Sequence, residues 1–189
     1  MSTTFLFLAE GFEEIEALTV VDVLRRGGME VQTVSISEQY QVTGAHGVTV
    51  KADRLWGNLQ MQPEAQLVFP GGMPGAKNLA EHLGLMHLAQ EHLDRGGRMA
   101  AICAAPALVL GALRVGRRCR VTCYPGFEGE LPQMEVVPDG VVVDGPIITA
   151  KGPAFATAFA LTLLREWVSA EVADEVAASM LCAIDTNTF

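Results

Sequence analysis

Short, unbroken apolar runs alternate with amphipathic stretches along most of this chain. Residues 5–8 (FLFL) form one such run, and residues 13–26 follow with Ala17, Val20, Val21 and Leu24 recurring at helical spacing. A short apolar run reads as a strand buried on both faces, and the 3.6-residue spacing after it as a helix hiding one stripe. Gly27 and Gly28 stop that helix, because glycine takes up left-handed capping backbone without steric cost. Residues 31–36 give a second strand, and residues 42–44 and 48–50 a half-exposed hairpin turning at the glycines between them. A buried strand at 67–69 runs into PGGMPG (70–75). A helix is predicted over 84–95, then a strand ending at Cys103, with an apolar helix following it. Further on come short strands at 120–122, 135–137, 141–143 and 147–149, and helices at 154–168 and 170–182.

This alternation predicts an α/β sandwich, a mostly parallel sheet with helices on both faces. Neither a repeat nor a low-complexity segment nor a linker interrupts it, and 189 residues suit one domain over 1–189. Half the residues are apolar, yet the longest runs, such as 156–164 with Thr157 and Thr162, are too short for a membrane span. Residues 4–9 carry no basic leader and meet Glu10 at once, so they read as a first strand rather than a signal peptide. Four cysteines without a secretion signal are expected to be thiols, which points to the cytoplasm. A net charge of −9 disfavours nucleic acid and anionic membrane surfaces as partners. Cys119 and Cys123 lack the second pair or histidine cluster that would complete a zinc set, so no metal or cofactor is expected. His82, His87 and His92 lie in or near one polar helix and are expected to face solvent.

Chemistry concentrates at Cys103. Its neighbours Ala101, Ala104 and Ala105 are small, as a side chain on a tight strand-to-helix turn requires. The positive end of the following helix is expected to favour thiolate over thiol. The competing explanation is a buried packing thiol, since free cysteine is among the most buried residue types. Two loops belong to the same sheet edge, where ligands bind in open α/β folds. In EGFEEIE (10–16), acidic residues of a first helical turn suit the helix dipole, but Glu16 sits a turn further in, beside the apolar stripe, where it can reach the thiol. The glycine pair of residues 71 and 72 matches no phosphate-binding spacing and serves either as a plain turn or as a source of backbone N–H groups for an oxyanion.

EGFEEIE (10–16), FPGGMPGA (69–76), AAICAAP (100–106), VTCYP (121–125) and TAKGP (149–153) together resemble the DJ/ThiJ/PfpI superfamily, most closely bacterial relatives of the Parkinsonism-associated DJ protein. The resemblance implies a flavodoxin-like sandwich, a homodimer, and a reactive cysteine on a nucleophile elbow. It makes Cys103 the nucleophile, Glu16 its protonated carboxyl partner, and the N–H groups of Gly72 and Ala104 the oxyanion donors, with Gly71, Tyr124, Pro125, His46 and Lys151 around the pocket. The implied activities are glyoxalase-type conversion of methylglyoxal to lactate without a cofactor, deglycation, oxidative-stress sensing and chaperone action, with a small aldehyde as partner.

Departures from the pattern narrow this. The protease-like branch carries histidine where this chain has Ala104, and the glutaminase relatives' downstream His-x-Glu is absent, so peptidase and amidotransferase chemistry are disfavoured. Tyr124 stands where the animal members have histidine, leaving a hydroxyl in place of a base. His46 and Lys151 stand where arginines are expected, which removes a bidentate anion clamp. The remaining function classes are an aldehyde-processing enzyme and a non-enzymatic redox sensor or chaperone built on the same thiol. A flavin electron carrier on this fold is disfavoured, because no Ser/Thr-rich phosphate loop follows the first strand.

Overall fold

The computed structural model describes residues 2–115 and 118–182. Its strands are β1 (Thr4–Leu8), β2 (Val31–Ser35), β3 (Gln41–Thr43), β4 (Thr49–Lys51), β5 (Arg54–Leu55), β6 (Gln66–Phe69), β7 (Met99–Ile102), β8 (Arg120–Val121), β9 (Glu135–Val136), β10 (Val141–Asp144) and β11 (Ile147–Ala150). The helices are α1 (Glu14–Arg26), α2 (Gly75–Glu81), α3 (Leu83–Asp94), α4 (Ala156–Trp167) and α5 (Ala170–Ser179). Seven strands form the central sheet in the order β10-β11-β7-β6-β1-β2-β5. All its neighbours pair in parallel except β10 with β11. This is the α/β architecture the alternation predicts and the flavodoxin-like sandwich the resemblance implies.

The continuous apolar runs are continuous because the strands are covered on both faces: all residues of β1, β6, β7 and β11 are buried. Phe7 and Phe69 stack at 5.5 Å between ring centroids on neighbouring strands. Helix α1 packs on α4, and α4 on α5. Where α1 ends, a Cβ on Gly27 would lie 2.4 Å from Leu164 Cδ2, so the glycine that stops the helix also lets α4 close against it. Helices α2 and α3 pack on each other, and α2 packs on the turn at Pro106–Leu110.

Four elements differ from the sequence reading. Helix α2 went unseen because it starts inside the glycine-proline loop, where local composition signals a turn. The edge strand β5 and the short helical turn Trp56–Asn58 are too short for periodicity to show. The apolar helix expected after Cys103 is a single wide turn, Pro106–Leu110, in which Gly111 N–H bonds back to Pro106 O at 3.0 Å. His92 does not face solvent: it is 1% exposed, with Nε2 3.2 Å from Arg98 O, and it fills the space left by Gly97, where a Cβ would meet the ring at 2.2 Å. Burial pushes its pKa down. His87 is exposed as expected, beside Glu91 at 3.3 Å, whereas His82 caps α3 by accepting Leu85 N–H at 3.0 Å. Among the described residues no helix is long and apolar enough to cross a membrane.

Candidate active site

Parallel strands deliver their carboxyl ends to one edge, so the loops after β1, β6, β7 and β11 converge there. Cys103, directly after β7, has φ +67°, the left-handed region. Such backbone is costly for a residue with a side chain and persists only where its surroundings fix it. Here they do: Cys103 N–H donates to Ala150 O at 2.9 Å, and Tyr124 N–H donates to Cys103 O at 2.8 Å. The flanking Ala104 and Ala105 are at most 1% exposed, leaving no room for larger neighbours. The thiol is 9% exposed, just reaching the surface.

The loop after β6 completes the cradle. A Cβ on Gly71 would sit 2.6 Å from Cys103 Cβ and 2.7 Å from Glu16 Oε2, so only glycine lets this backbone pass between the two side chains. Gly72 has φ +88°, and Glu13 N–H donates to Gly71 O at 2.9 Å. The backbone N–H groups of Gly72 and Ala104 favour the charged form of the Cys103 thiol.

Glu16 lies on the inward face of α1 and is fully buried. Its Oε2 accepts Gly71 N–H at 2.8 Å, while Oε1 is buried with no well-aligned partner. The Cys103 side chain and the Glu16 carboxyl both crowd the Gly71 backbone, and the ionisation of each is coupled to the other. Burial raises Glu16 to a pKa of about 7, against opposing hydrogen bonds from Cys103 and Gly71. It therefore exchanges its proton near neutrality, with one oxygen fixed by Gly71 N–H.

The expectation that a helix terminus favours the thiolate is not met. Burial and the Glu16 charge push the Cys103 thiol up to about 12, and the N–H groups of Gly72 and Ala104 only partly oppose this. The helix that would have supplied the dipole is a single turn. Cys103 and Glu16 instead titrate as a pair. When Glu16 holds the proton, its repulsion of the thiolate vanishes and only the N–H donors remain.

The other pocket residues divide. Tyr124 is 46% exposed, its ring packed over Gly152 and 6.5 Å from Phe127, and with the exposed Pro125 it forms a rim beside Cys103. Thr122 N–H, bonded to Thr149 Oγ1 at 2.9 Å, ties this segment to β11. Lys151 is committed elsewhere: its Nζ donates to Pro138 O at 3.2 Å, and its charge is felt at Cys123. His46 sits at the tip of the β3–β4 hairpin against Glu13 and Glu14. Those two glutamates are the residues the sequence reading undervalued. Explained by the dipole of a first helical turn, they are in fact 7% and 8% exposed. Glu14 Oε1 accepts the N–H groups of His46 at 2.8 Å and Val48 at 3.3 Å, so it moors the hairpin. Burial presses its carboxyl upward, but these bonds and the His46 ring outweigh that and hold it below the usual range.

The family model described as the DJ-1/PfpI family matches residues 2–166. "Protein DJ-1 homolog A" of Arabidopsis thaliana is 34% identical over 181 residues, covering 95% of this chain, although the chain spans only 46% of that relative's length. "Glutathione-independent glyoxalase DJR-1.2" of Caenorhabditis elegans is 32% identical over 166 residues, 87% of each protein. Among solved structures, oxidized DJ-1 of Toxoplasma gondii superposes with a TM-score of 0.89 at 34% identity, covering 97% of this chain and all of that one.

Proposed function

The chain belongs to the DJ-1/PfpI family, and on that premise we propose that it is a cofactor-independent enzyme using Cys103 against α-oxoaldehydes, converting methylglyoxal and water to lactate in the cytoplasm. The carrying observation is the carboxyl group of Glu16, wholly buried, fixed by Gly71 N–H through one oxygen and coupled in its ionisation to Cys103. The sulfur adds to the aldehyde carbon, and the alkoxide that forms is stabilised by the Gly72 and Ala104 N–H groups and protonated by Glu16. The resulting carboxylate takes the C1 proton of the hemithioacetal and returns it to C2 while the C1 hydroxyl proton passes to the C2 oxygen, leaving a thioester that water cleaves to lactate and free thiol. A relative named as a glutathione-independent glyoxalase supports this reading. Steady-state lactate production by the purified protein tests it, and no turnover above the protein-free rate overturns it.

A second reading, oxidative sensing by the same thiol, is favoured by the cradle itself: the N–H groups that would hold an oxyanion also suit a sulfinate. Mild peroxide should add two oxygens to the Cys103 peptide. Cys123 should remain a thiol, because it is 3% exposed and burial pushes its pKa up to about 11. Peptide mass spectrometry decides, and a Cys103–Cys123 cross-link as main product would make Cys123 a resolving thiol instead.

We also propose a homodimer. Ile15 and Leu18, three residues apart on α1, are 57% and 40% exposed beside the active-site loop, an unusual position for aliphatic side chains in the first turns of a helix that carries Glu16. Ile15→Glu should halve the mass measured by light scattering; a wild-type chain that is already monomeric at assay concentration would remove the proposal.

A further inference from the structure

Thr149 is the one polar residue of the buried strand β11, and it is 1% exposed. A hydroxyl in such a place is costly unless it is hydrogen-bonded, and its partner belongs to another part of the chain: Thr149 Oγ1 accepts Thr122 N–H at 2.9 Å. Two residues further on, Tyr124 N–H donates to Cys103 O at 2.8 Å, and Cys103 N–H donates to Ala150 O at 2.9 Å. These contacts close a ring that begins and ends on neighbouring residues of β11, with Cys103 between them. We infer that Thr149 is a positioning residue for Cys103: its hydroxyl, acting through residues 122–124, holds the backbone of the reactive cysteine in the left-handed region.

The segment needs this tie because no ladder holds it. Strand β8 ends at Val121 and pairs with β9, not with the seven-stranded sheet. Among the described residues, two hydrogen bonds fasten residues 122–124 to β11 and to the nucleophile turn, the ones to Thr149 and to Cys103. Without the first, Tyr124 N–H would be held only by the group it has to fix. Thr122 and Cys123 are buried, so a freed Thr122 N–H has no solvent to turn to, and a buried donor without an acceptor drives the segment to shift. Cys103, at φ +67°, occupies backbone that is unfavourable for a residue with a side chain. Released from Tyr124 N–H it would relax, carrying the sulfur away from the Gly72 and Ala104 N–H groups and from Glu16, the titratable side chain that acts on it.

The strand register places the two anchors where the turn begins. Thr149 pairs with Ala101 and Ala150 with Ile102, so the hydroxyl and the carbonyl that together fix Cys103 lie beside the last two residues of β7, immediately before it. Twenty-seven residues separate Thr122 from Thr149, and nothing local in VTCYP or TAKGP announces the bond. The inference rests on Cys103 being the reactive thiol and stands whether or not that thiol turns over aldehydes.

Alkylation of Cys103 in the full chain by iodoacetamide over a range of pH, followed by peptide mass spectrometry, tests the inference. In the wild type the rate should rise through about 7, where the Cys103–Glu16 pair loses its first proton. Thr149→Val keeps the shape of the side chain but removes the acceptor. In that variant the rise should move up toward the ordinary thiol value of 9.0, because the displaced sulfur no longer titrates with Glu16. Thr149→Ser keeps a hydroxyl and should restore the wild-type profile. Amide hydrogen exchange reads the same tie without a substitution: in the wild type the Thr122 and Tyr124 amides should exchange as slowly as those of β11. In Thr149→Val both should lose protection while β1 and β6 keep theirs. A Thr149→Val profile that still rises through about 7 overturns the inference. So does a shifted profile that Thr149→Ser fails to restore, or fast exchange of Tyr124 N–H in the wild type. None of these readouts requires lactate formation, so its absence would remove the proposed activity alone.

Discussion

Replacing Cys103 with serine should abolish lactate formation from methylglyoxal while the fold survives. The two side chains differ little in volume, so the contacts that hold the left-handed backbone, Ala150 O and Tyr124 N–H, remain. What changes is the nucleophile. A thiol pushed up to about 12 by burial and by Glu16 still becomes a thiolate when the neighbouring carboxyl takes its proton, because sulfur is polarisable and two N–H groups receive the charge. A serine hydroxyl in the same cradle is a far weaker acid, and no histidine base adjoins it: the position after the nucleophile is Ala104, 1% exposed. Turnover should fall by at least about 10³-fold, as for removal of a nucleophile from a catalytic set, with an unchanged circular-dichroism spectrum and a midpoint of thermal unfolding within a few degrees. Cys119, Cys123 and Cys182 are still present in that variant. Substantial remaining turnover would therefore transfer the nucleophile to one of them, or remove thiol chemistry from the reaction.

How much of this was legible in the sequence depends on the range over which each signal acts. The strands β1, β6, β7 and β11 are read directly from apolar runs, because a strand covered on both faces has no polar alternation to obscure it. Glu16 could be picked out by its offset from the first helical turn, since the position of a residue on a helix is a local property. The pairing of Glu13 and Glu14 with the hairpin could not, because two acidic residues at a helix start satisfy the dipole and give no hint that a loop thirty residues away will cover them. His92 misled for a similar reason: its burial depends on Gly97 making room and Arg98 O offering an acceptor, neither of which the polar helix around it announces. The protonation of Cys103 was misread because local sequence suggested a dipole, whereas the deciding factors, burial and the Glu16 charge, belong to the assembled site.

Glu16→Gln should slow turnover by about 10²-fold, the usual contribution of one positioned acid–base group, and should do so through kcat rather than KM. Glutamine preserves the volume and can still accept Gly71 N–H, but it cannot pass a proton to the alkoxide or take one from carbon. The wild-type rate should rise with pH through about 7, where the Cys103–Glu16 pair loses its first proton; in the variant that limb should move upward, because the sulfur must then ionise without a partner to hold the proton. The same substitution has a signature in stability. Folded Glu16 keeps its proton up to about 7, whereas its ordinary value is 4.5. Between these values the folded protein binds more protons than the unfolded chain, so stability falls as pH rises. The contribution is complete below about 4.5 and is lost as pH passes through about 7, a difference on the order of 3 kcal/mol for this displacement. Urea denaturation at a series of pH values should show the wild type losing that stability and Glu16→Gln losing correspondingly less, with the two curves converging toward acid. Parallel curves, or an unmoved kinetic limb, would mean that Glu16 is ionised throughout and that the proton attributed to it belongs elsewhere.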